Sequence, residues 1–151
     1  MLFAELHAHS AFSLLDGAAL PEALVLRAKE LGLAALALTD HDELGGAVRF
    51  ASAARELEIP GIIGAELTVA VPSRNGEAPL VTHLPLLAES RDGYANLATL
   101  VTLARADVSR RGEPLVSLDQ LAQHANGLFA LTGCPRGWVP TLAARGEADA
   151  A

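Results

Sequence analysis

Apolar residues recur along this chain at two spacings, and the switches between them mark its elements. Leu2 to His7 reads as a short buried strand, followed by a loop from Ser10 to Gly17 with Asp16-Gly17 as its turn. Pro21-Glu22 suits the first turn of a helix; Leu24, Ala28 and Leu31 recur at helical spacing, and Gly32 stops it. Leu33 to Thr39 is a nearly continuous apolar run of strand length, ending in Asp40-His41-Asp42. Gly45-Gly46 then opens a helix over about Ala47 to Leu57, with Val48, Ala51, Ala54 and Leu57 as the expected apolar face. Pro60-Gly61 ends it.

Ile62 to Val71 and Leu80 to Ala88 read as two strands of a hairpin, with Asn75-Gly76 in the turn-rich segment between them. A helix from Asp92 to Ala106 follows, with Tyr94, Leu97, Leu100, Val101 and Ala104 as its expected buried side. Arg110 to Pro114 is a charged loop. Ser117 and Gln120 fit a capping box at the start of a short helix running to Asn126-Gly127. Leu128 to Thr132 is a last short strand, and Val139 to Ala151 holds one or two helical turns. Short strands alternating with helices predict an α/β fold with a mainly parallel sheet and right-handed crossovers, open or rolled into a barrel.

The polar residues that interrupt this pattern carry the candidate chemistry. His7 and His9 stand two apart at a strand end, so both imidazoles share a face and can reach one metal ion. The same spacing also suits an ordinary polar strand end. His41 and Cys134 also fall just past strand ends, where α/β proteins place their sites. Glu66 sits among apolar residues inside a strand and needs a partner, since unpaired burial of a carboxylate is costly. His83 lies near the start of the return strand of the hairpin, and Asp16 in the loop after the first strand.

His7, His9, Asp16, His41, Glu66, His83 and Cys134 are thus seven candidate ligands for one rim. Imidazole and carboxylate together suit Zn²⁺, Mn²⁺ or Fe²⁺, and seven ligands exceed what one tetrahedral ion takes. Asp40 and Asp42 are expected either to cap the following helix or to orient His41. Arg136 lies near the same rim, where it can meet a phosphate. His124 lies away from every strand end and reads as a surface or packing histidine. Gly45-Gly46 lacks the Lys-Ser/Thr of a phosphate loop, and Ser10 has no evident His and Asp relay.

Composition narrows the class. A chain of 151 residues with 51% hydrophobic residues is long enough to bury a core as one domain. Its net charge of -7 makes it a poor nonspecific binder of nucleic acid, though a nucleic-acid end held by metal ions stays open. A single cysteine rules out an internal disulfide and fits a reducing compartment. No apolar run reaches the roughly 18 residues of a membrane span, and the N-terminus has no signal-peptide pattern. The cytoplasm is the expected location, with no membrane partner.

Several ordered motifs resemble the PHP (polymerase and histidinol phosphatase) domain of bacterial C-family DNA polymerases, which include the DNA polymerase III alpha subunit. They are Phe3-Ala4-Glu5-Leu6-His7-Ala8-His9-Ser10, Phe12-Ser13-Leu14-Leu15-Asp16-Gly17-Ala18 and Leu36-Ala37-Leu38-Thr39-Asp40-His41-Asp42. Gly64-Ala65-Glu66, His83 to Ala88, Gly93-Tyr94-x-x-Leu97 and Leu131-Thr132-Gly133-Cys134 continue the match in order. Thr132 to Gly137 is similar to the Thr-Gly-Cys-Arg-Lys-Gly element of the error-prone branch, with Pro135 and Arg136 in place of its Arg and Lys.

The resemblance implies a distorted seven-stranded β/α barrel with up to three divalent metals. The family's ligand positions fall on His7, His9, Asp16, His41, Glu66, His83 and Cys134. It implies metal-dependent phosphoester hydrolysis, with His9, Asp16 and His41 as catalytic ligands and Arg136 steadying the substrate. The family's later Asp-x-His pair does not occur here, so residues 1–151 are expected to be the N-terminal part of a single PHP domain, with the barrel incomplete at its C-terminal end. In the parent, translesion DNA synthesis with Mg²⁺ would belong to another domain. DNA and replication or repair proteins are the expected partners. A stand-alone PHP phosphatase and a non-enzymatic, metal-stabilised domain are the rival readings.

Overall fold

The structure is a computed structural model that describes residues 3–72, 79–106 and 113–146. Its elements are β1 (Ala4–Ala8), α1 (Pro21–Glu30), β2 (Ala35–Leu38), α2 (Ala47–Glu56), β3 (Gly61–Val71) and β4 (Leu80–Ala88). They continue with α3 (Arg91–Ala106), β5 (Val116–Ser117), α4 (Leu118–Gln123), β6 (Leu128–Ala130) and α5 (Trp138–Ala144). The sheet runs β1-β2-β3-β4-β6, with β5 pairing β3. Among the described residues it does not close: β1 and β6 are its ends.

The pairing is mixed rather than mainly parallel. β1 with β2, β2 with β3 and β5 with β3 are parallel; β4 lies antiparallel to both β3 and β6. The hairpin explains the difference, because a return strand that follows its partner directly is antiparallel. Asn75-Gly76 and most of the charged loop from Arg110 lie outside the described residues. The two-residue β5 escaped the sequence reading because it is too short to show a period.

β3 is the axis of the molecule. Residues 61–63 pair with β2, and residues 64–71 with β4. Alternation then sorts its side chains between two faces. Ala65, Leu67, Val69 and Val71 are buried against Leu97, Leu100 and Ala104 of α3, with Val116 and Leu86 in the same cluster. Each fully buried leucine there contributes roughly 1.5–3 kcal/mol. Gly64, Glu66 and Thr68 face the other way, beside His83 and Pro85 of β4.

The β1-β2 end has its own cluster, with Val25 and Ala28 of α1, Leu36 and Leu38 of β2, and Phe50, Ala53 and Ala54 of α2. α2 is rotated from the expected face: Ala47, Phe50, Ala53 and Ala54 are buried, while Val48 is 74% exposed and Ala51 is exposed. Phe50 decides the rotation, since it is the largest side chain available to fill the space under the sheet. Tyr94 likewise is exposed, and Gly93 faces inward instead. The exposed Glu22–Arg49 pair joins α1 to α2 at 2.6 and 3.1 Å, but such surface pairs contribute at most about 1 kcal/mol. Ser117 and Gln120 do form the capping box at α4.

The start of α3 leaves no room at Gly93. A Cβ there would lie 1.9 Å from the Gly127 carbonyl oxygen, at the connection into β6. Gly93→Ala is therefore expected to destabilise the chain by about 2–3 kcal/mol, read as a shifted urea midpoint at unchanged slope. A midpoint equal to that of the wild type would contradict this packing.

Candidate metal centre

The rim forms where β1 and β2 end against the middle of β3. His41 follows β2 and bridges to Glu66 in parallel register, with the Asp42 N–H donating to the Glu66 carbonyl at 2.9 Å and the Glu66 N–H to the Asp40 carbonyl at 3.1 Å. This lacing places Glu66 three residues beyond the last β2 pairing, Leu38 with Ile63, level with the residues that follow β1 and β2.

Glu66 is fully buried and sits at the centre. Its Oε2 lies 2.8 Å from His7 Nε2, 2.9 Å from His9 Nε2 and 3.8 Å from His41 Nδ1. Its Oε1 lies 3.2 Å from both His83 Nδ1 and Cys134 Sγ. Asp16 sits at the outer edge: its Oδ2 lies 2.9 Å from His9 Nδ1 and 2.8 Å from His41 Nε2. All seven sequence candidates therefore converge. His124 caps the end of α4 away from them. Arg136 gives its carbonyl to the Thr82 hydroxyl at 2.8 Å and to the His83 N–H at 3.2 Å, with its side chain exposed.

Among the described residues, ligand-bearing atoms form three groups, each within 4.8 Å: His7, His9 and Glu66; His9, Asp16 and His41; and His41, Glu66 and His83. His9, His41 and Glu66 each belong to two groups. The protonation demands are hard to meet without a cation. His7 Nε2 and His9 Nε2 face each other at 3.1 Å while both face the same carboxylate oxygen. His83 Nδ1 is buried, and although Glu66 is near, its angle leaves it without a hydrogen bond. Buried polar atoms are nearly always satisfied, so an orphaned imidazole nitrogen aimed at a carboxylate fits a metal ligand set. The donors, imidazole with carboxylate, suit a borderline divalent ion.

The charges respond to this crowding. Burial raises the Glu66 pKa, but the imidazoles of His83, His9 and His7 and the Cys134 thiol together hold it well below the usual carboxylate range. Glu66 raises the His9 pKa against the burial that lowers it, and Asp16 adds to the rise. His41 first and His9 second hold the Asp16 carboxyl low. Burial and then the Glu66 charge push the Cys134 thiol up, against the Arg136 main chain.

Asp40 is the support beneath the rim. It does not cap α2, whose N-cap is Gly46 without a side-chain bond. Buried instead, its Oδ1 accepts from the Ser10 N–H and the Ser13 hydroxyl, both at 2.6 Å, and its Oδ2 from the Ser10 hydroxyl at 2.7 Å. Ser13 Oγ in turn accepts the His41 N–H at 3.1 Å. The loop that carries Asp16 is thus tied to the turn that carries His41. Gly17 lets the loop close, since a Cβ there would fall 1.9 Å from the Ser10 carbonyl oxygen. Asp42 also leaves α2 uncapped; it accepts from the Thr68 N–H at 2.8 Å and hydroxyl at 2.7 Å. Ser13 and Thr68 were not singled out from sequence, and Ser10 only as a nucleophile. Sequence carries no signal for them, since Ser10, Ser13 and Thr68 lie 26 to 30 residues from the aspartates they bond.

Asp40→Asn replaces an acceptor-only group with one that accepts at a single atom, leaving a buried donor without a partner. It is expected to cost about 2–3 kcal/mol in urea unfolding, and Ser13→Ala less. Equal stability for Asp40→Asn and the wild type would contradict this role.

A PHP domain family model matches residues 5–151. The chain is similar to an error-prone DNA polymerase of Cutibacterium acnes, 50% identical over 141 residues that cover 91% of this chain and 12% of that protein. It is also similar to a DNA polymerase III subunit alpha of Treponema pallidum, 42% identical over 152 residues covering 97% and 13%. The chain thus spans a small part of the length of these curated relatives. Among solved structures it resembles a Bifidobacterium adolescentis protein assigned by inference to the metal-dependent phosphoesterases. That match has 26% identity and a TM-score of 0.55, over 74% of this chain and 36% of that one.

Proposed function

We propose, since the chain belongs to the PHP domain family and corresponds to the N-terminal PHP portion of error-prone and related C-family DNA polymerases, that its rim is a metal-dependent phosphoesterase site. The observation that carries the reading is the buried Glu66 carboxylate with His7, His9, His83 and Cys134 around it and Asp16 spanning His9 and His41. In this reading residues 1–151 are part of one PHP domain, and the rim takes up to three divalent ions, Zn²⁺, Mn²⁺ or Fe²⁺.

The chain's own residues divide the work. Glu66, with His7, His9, His41, His83 and Cys134, would hold ions at the buried base of the rim. Asp16 has 54% of its side chain exposed, against 17–25% for His7, His9, His41 and His83. The substrate phosphate therefore approaches on the Asp16 side, with His9 and His41 behind it. Arg136, exposed beside Cys134, steadies the phosphate. Bound ions would supply Lewis acidity toward the phosphoryl oxygens and activate water near neutral pH. The substrate class we assign is a phosphodiester at a DNA end, which fits both the polymerase relatives and a chain of net charge -7 that binds nucleic acid poorly along its length. Translesion synthesis, with replication or repair proteins as partners, belongs to the longer parent in this reading.

The test pairs metal analysis with hydrolysis. The chain is expected to retain divalent metal through dialysis and to cleave bis(p-nitrophenyl) phosphate, with chelator abolishing turnover. Glu66→Gln should weaken metal binding by more than about 100-fold, since even the partners of ligands change affinity by 10–100-fold. Asp16→Asn should lower kcat while part of the metal stays. Metal retained with no turnover, here and in the longer parent, would replace the hydrolase with a metal-stabilised scaffold. No metal retained by the wild type would end both readings.

A further inference from the structure

We propose that Arg105 of α3 is a positioning residue for His41, acting through the main chain of Asp42. Arg105 Nε and one terminal nitrogen, Nη2, both donate to the Asp42 carbonyl, at 3.0 and 2.8 Å, and Nη2 also reaches Glu43 Oε2 at 3.2 Å. The arginine is half exposed and lies 63 residues along the chain from Asp42.

Asp42 has φ of +48°, in the left-handed region. That conformation costs an L-residue about 1–2 kcal/mol and persists only where its surroundings over-determine it. Three sets of bonds do so here. The Asp42 N–H is held by the Glu66 carbonyl, and its carboxylate by Thr68; both partners lie on β3. The carbonyl is held by Arg105, the one tie among these that comes from outside the sheet. The carbonyl belongs to the 42–43 peptide, so the fork fixes ψ of Asp42; once it opens, Asp42 can leave the left-handed region, and its return to negative φ turns the 41–42 peptide. That rotation breaks the bond to Glu66 and swings His41 off the rim.

His41 is where such a swing has the largest consequence. It belongs to two of the three ligand groups, while His7, His9 and Glu66 form one without it. Loss of the fork therefore weakens the His41-dependent positions and spares the third. A guanidinium is suited to the task because two of its donors meet one carbonyl in a fixed plane, which a lysine cannot reproduce.

The metal part of this inference rests on the phosphoesterase reading; the placement of His41 does not. The test therefore uses the full 151-residue chain in two states. In metal-free protein, imidazole nitrogen spectra of Arg105→Met at one pH are expected to show the His41 ring signals shifted or broadened. His124, remote from the rim, should stay in place, and Arg105→Lys should move His41 by less. In protein titrated with Mn²⁺, Arg105→Met should weaken the His41-dependent positions by about 10-fold or more and leave one ion bound. Arg105→Met combined with His41→Ala should bind no worse than His41→Ala alone. Unchanged His41 signals in folded Arg105→Met, or additive losses in the double variant, would overturn the proposal. Failure of Arg105→Met, Arg105→Gln and Arg105→Lys alike to fold would also overturn it, because the arginine would then hold the fold and not the histidine. A wild type that takes up no Mn²⁺ refutes the metal reading, and the metal-free spectra still decide the role of Arg105.

Discussion

A buried carboxylate in the middle of a strand sets the terms for this molecule. Glu66 has no exposed surface, and an ionised carboxylate withdrawn from water without partners is strongly unfavourable. Its neighbours on β3, Ala65 and Leu67, face a closed apolar layer under α3, so compensation comes from the opposite face alone. There the fold delivers imidazoles from the ends of β1 and β2 and from β4, and a thiol from the turn after β6. They come from four different segments, which Glu66 joins to β3.

The same requirement explains the layers behind the rim. His9, Asp16 and His41 come from loops, which are ordinarily mobile. Here they are fastened from below: Asp40 gathers Ser10 and Ser13, and Asp42 grips Thr68. Two aspartates flanking one histidine thus attach it to two different neighbours, the loop on one side and β3 on the other. The chain uses carboxylates for this because each accepts several hydrogen bonds without presenting a donor.

Much of this was legible in the sequence, for identifiable reasons. The β1, β2 and β3 regions showed as apolar runs, and the β3–β4 hairpin as two such runs around Asn75-Gly76. Placing His7, His9, His41 and Cys134 at strand ends was enough to expect one rim, and the ordered motifs gave the family. What the sequence hid was rotation and support. Val48 and Phe50 fit helical faces almost equally well by spacing, and only the volume under the sheet favours Phe50. Tyr94 falls in helical spacing with Leu97 and Leu100 and so reads as buried, but the close approach of Gly93 to Gly127 turns the helix the other way. Asp40 and Asp42 read either as caps or as supports of His41, and the structure takes the second through partners 26 to 30 residues away. No periodicity reports such a distance. Polarity in the sheet followed from the hairpin, whose antiparallel return also pairs with β6.

The central claim is that the histidines and acids meet in order to hold metal ions. X-ray absorption of the chain loaded with Zn²⁺ or Mn²⁺ examines that environment directly. The account predicts nitrogen and oxygen neighbours at about 2.0–2.2 Å, outer-shell scattering from several imidazoles, and a metal–metal distance near 3.5–4 Å. A spectrum of oxygen neighbours alone, with no imidazole scattering and no second metal, would contradict it.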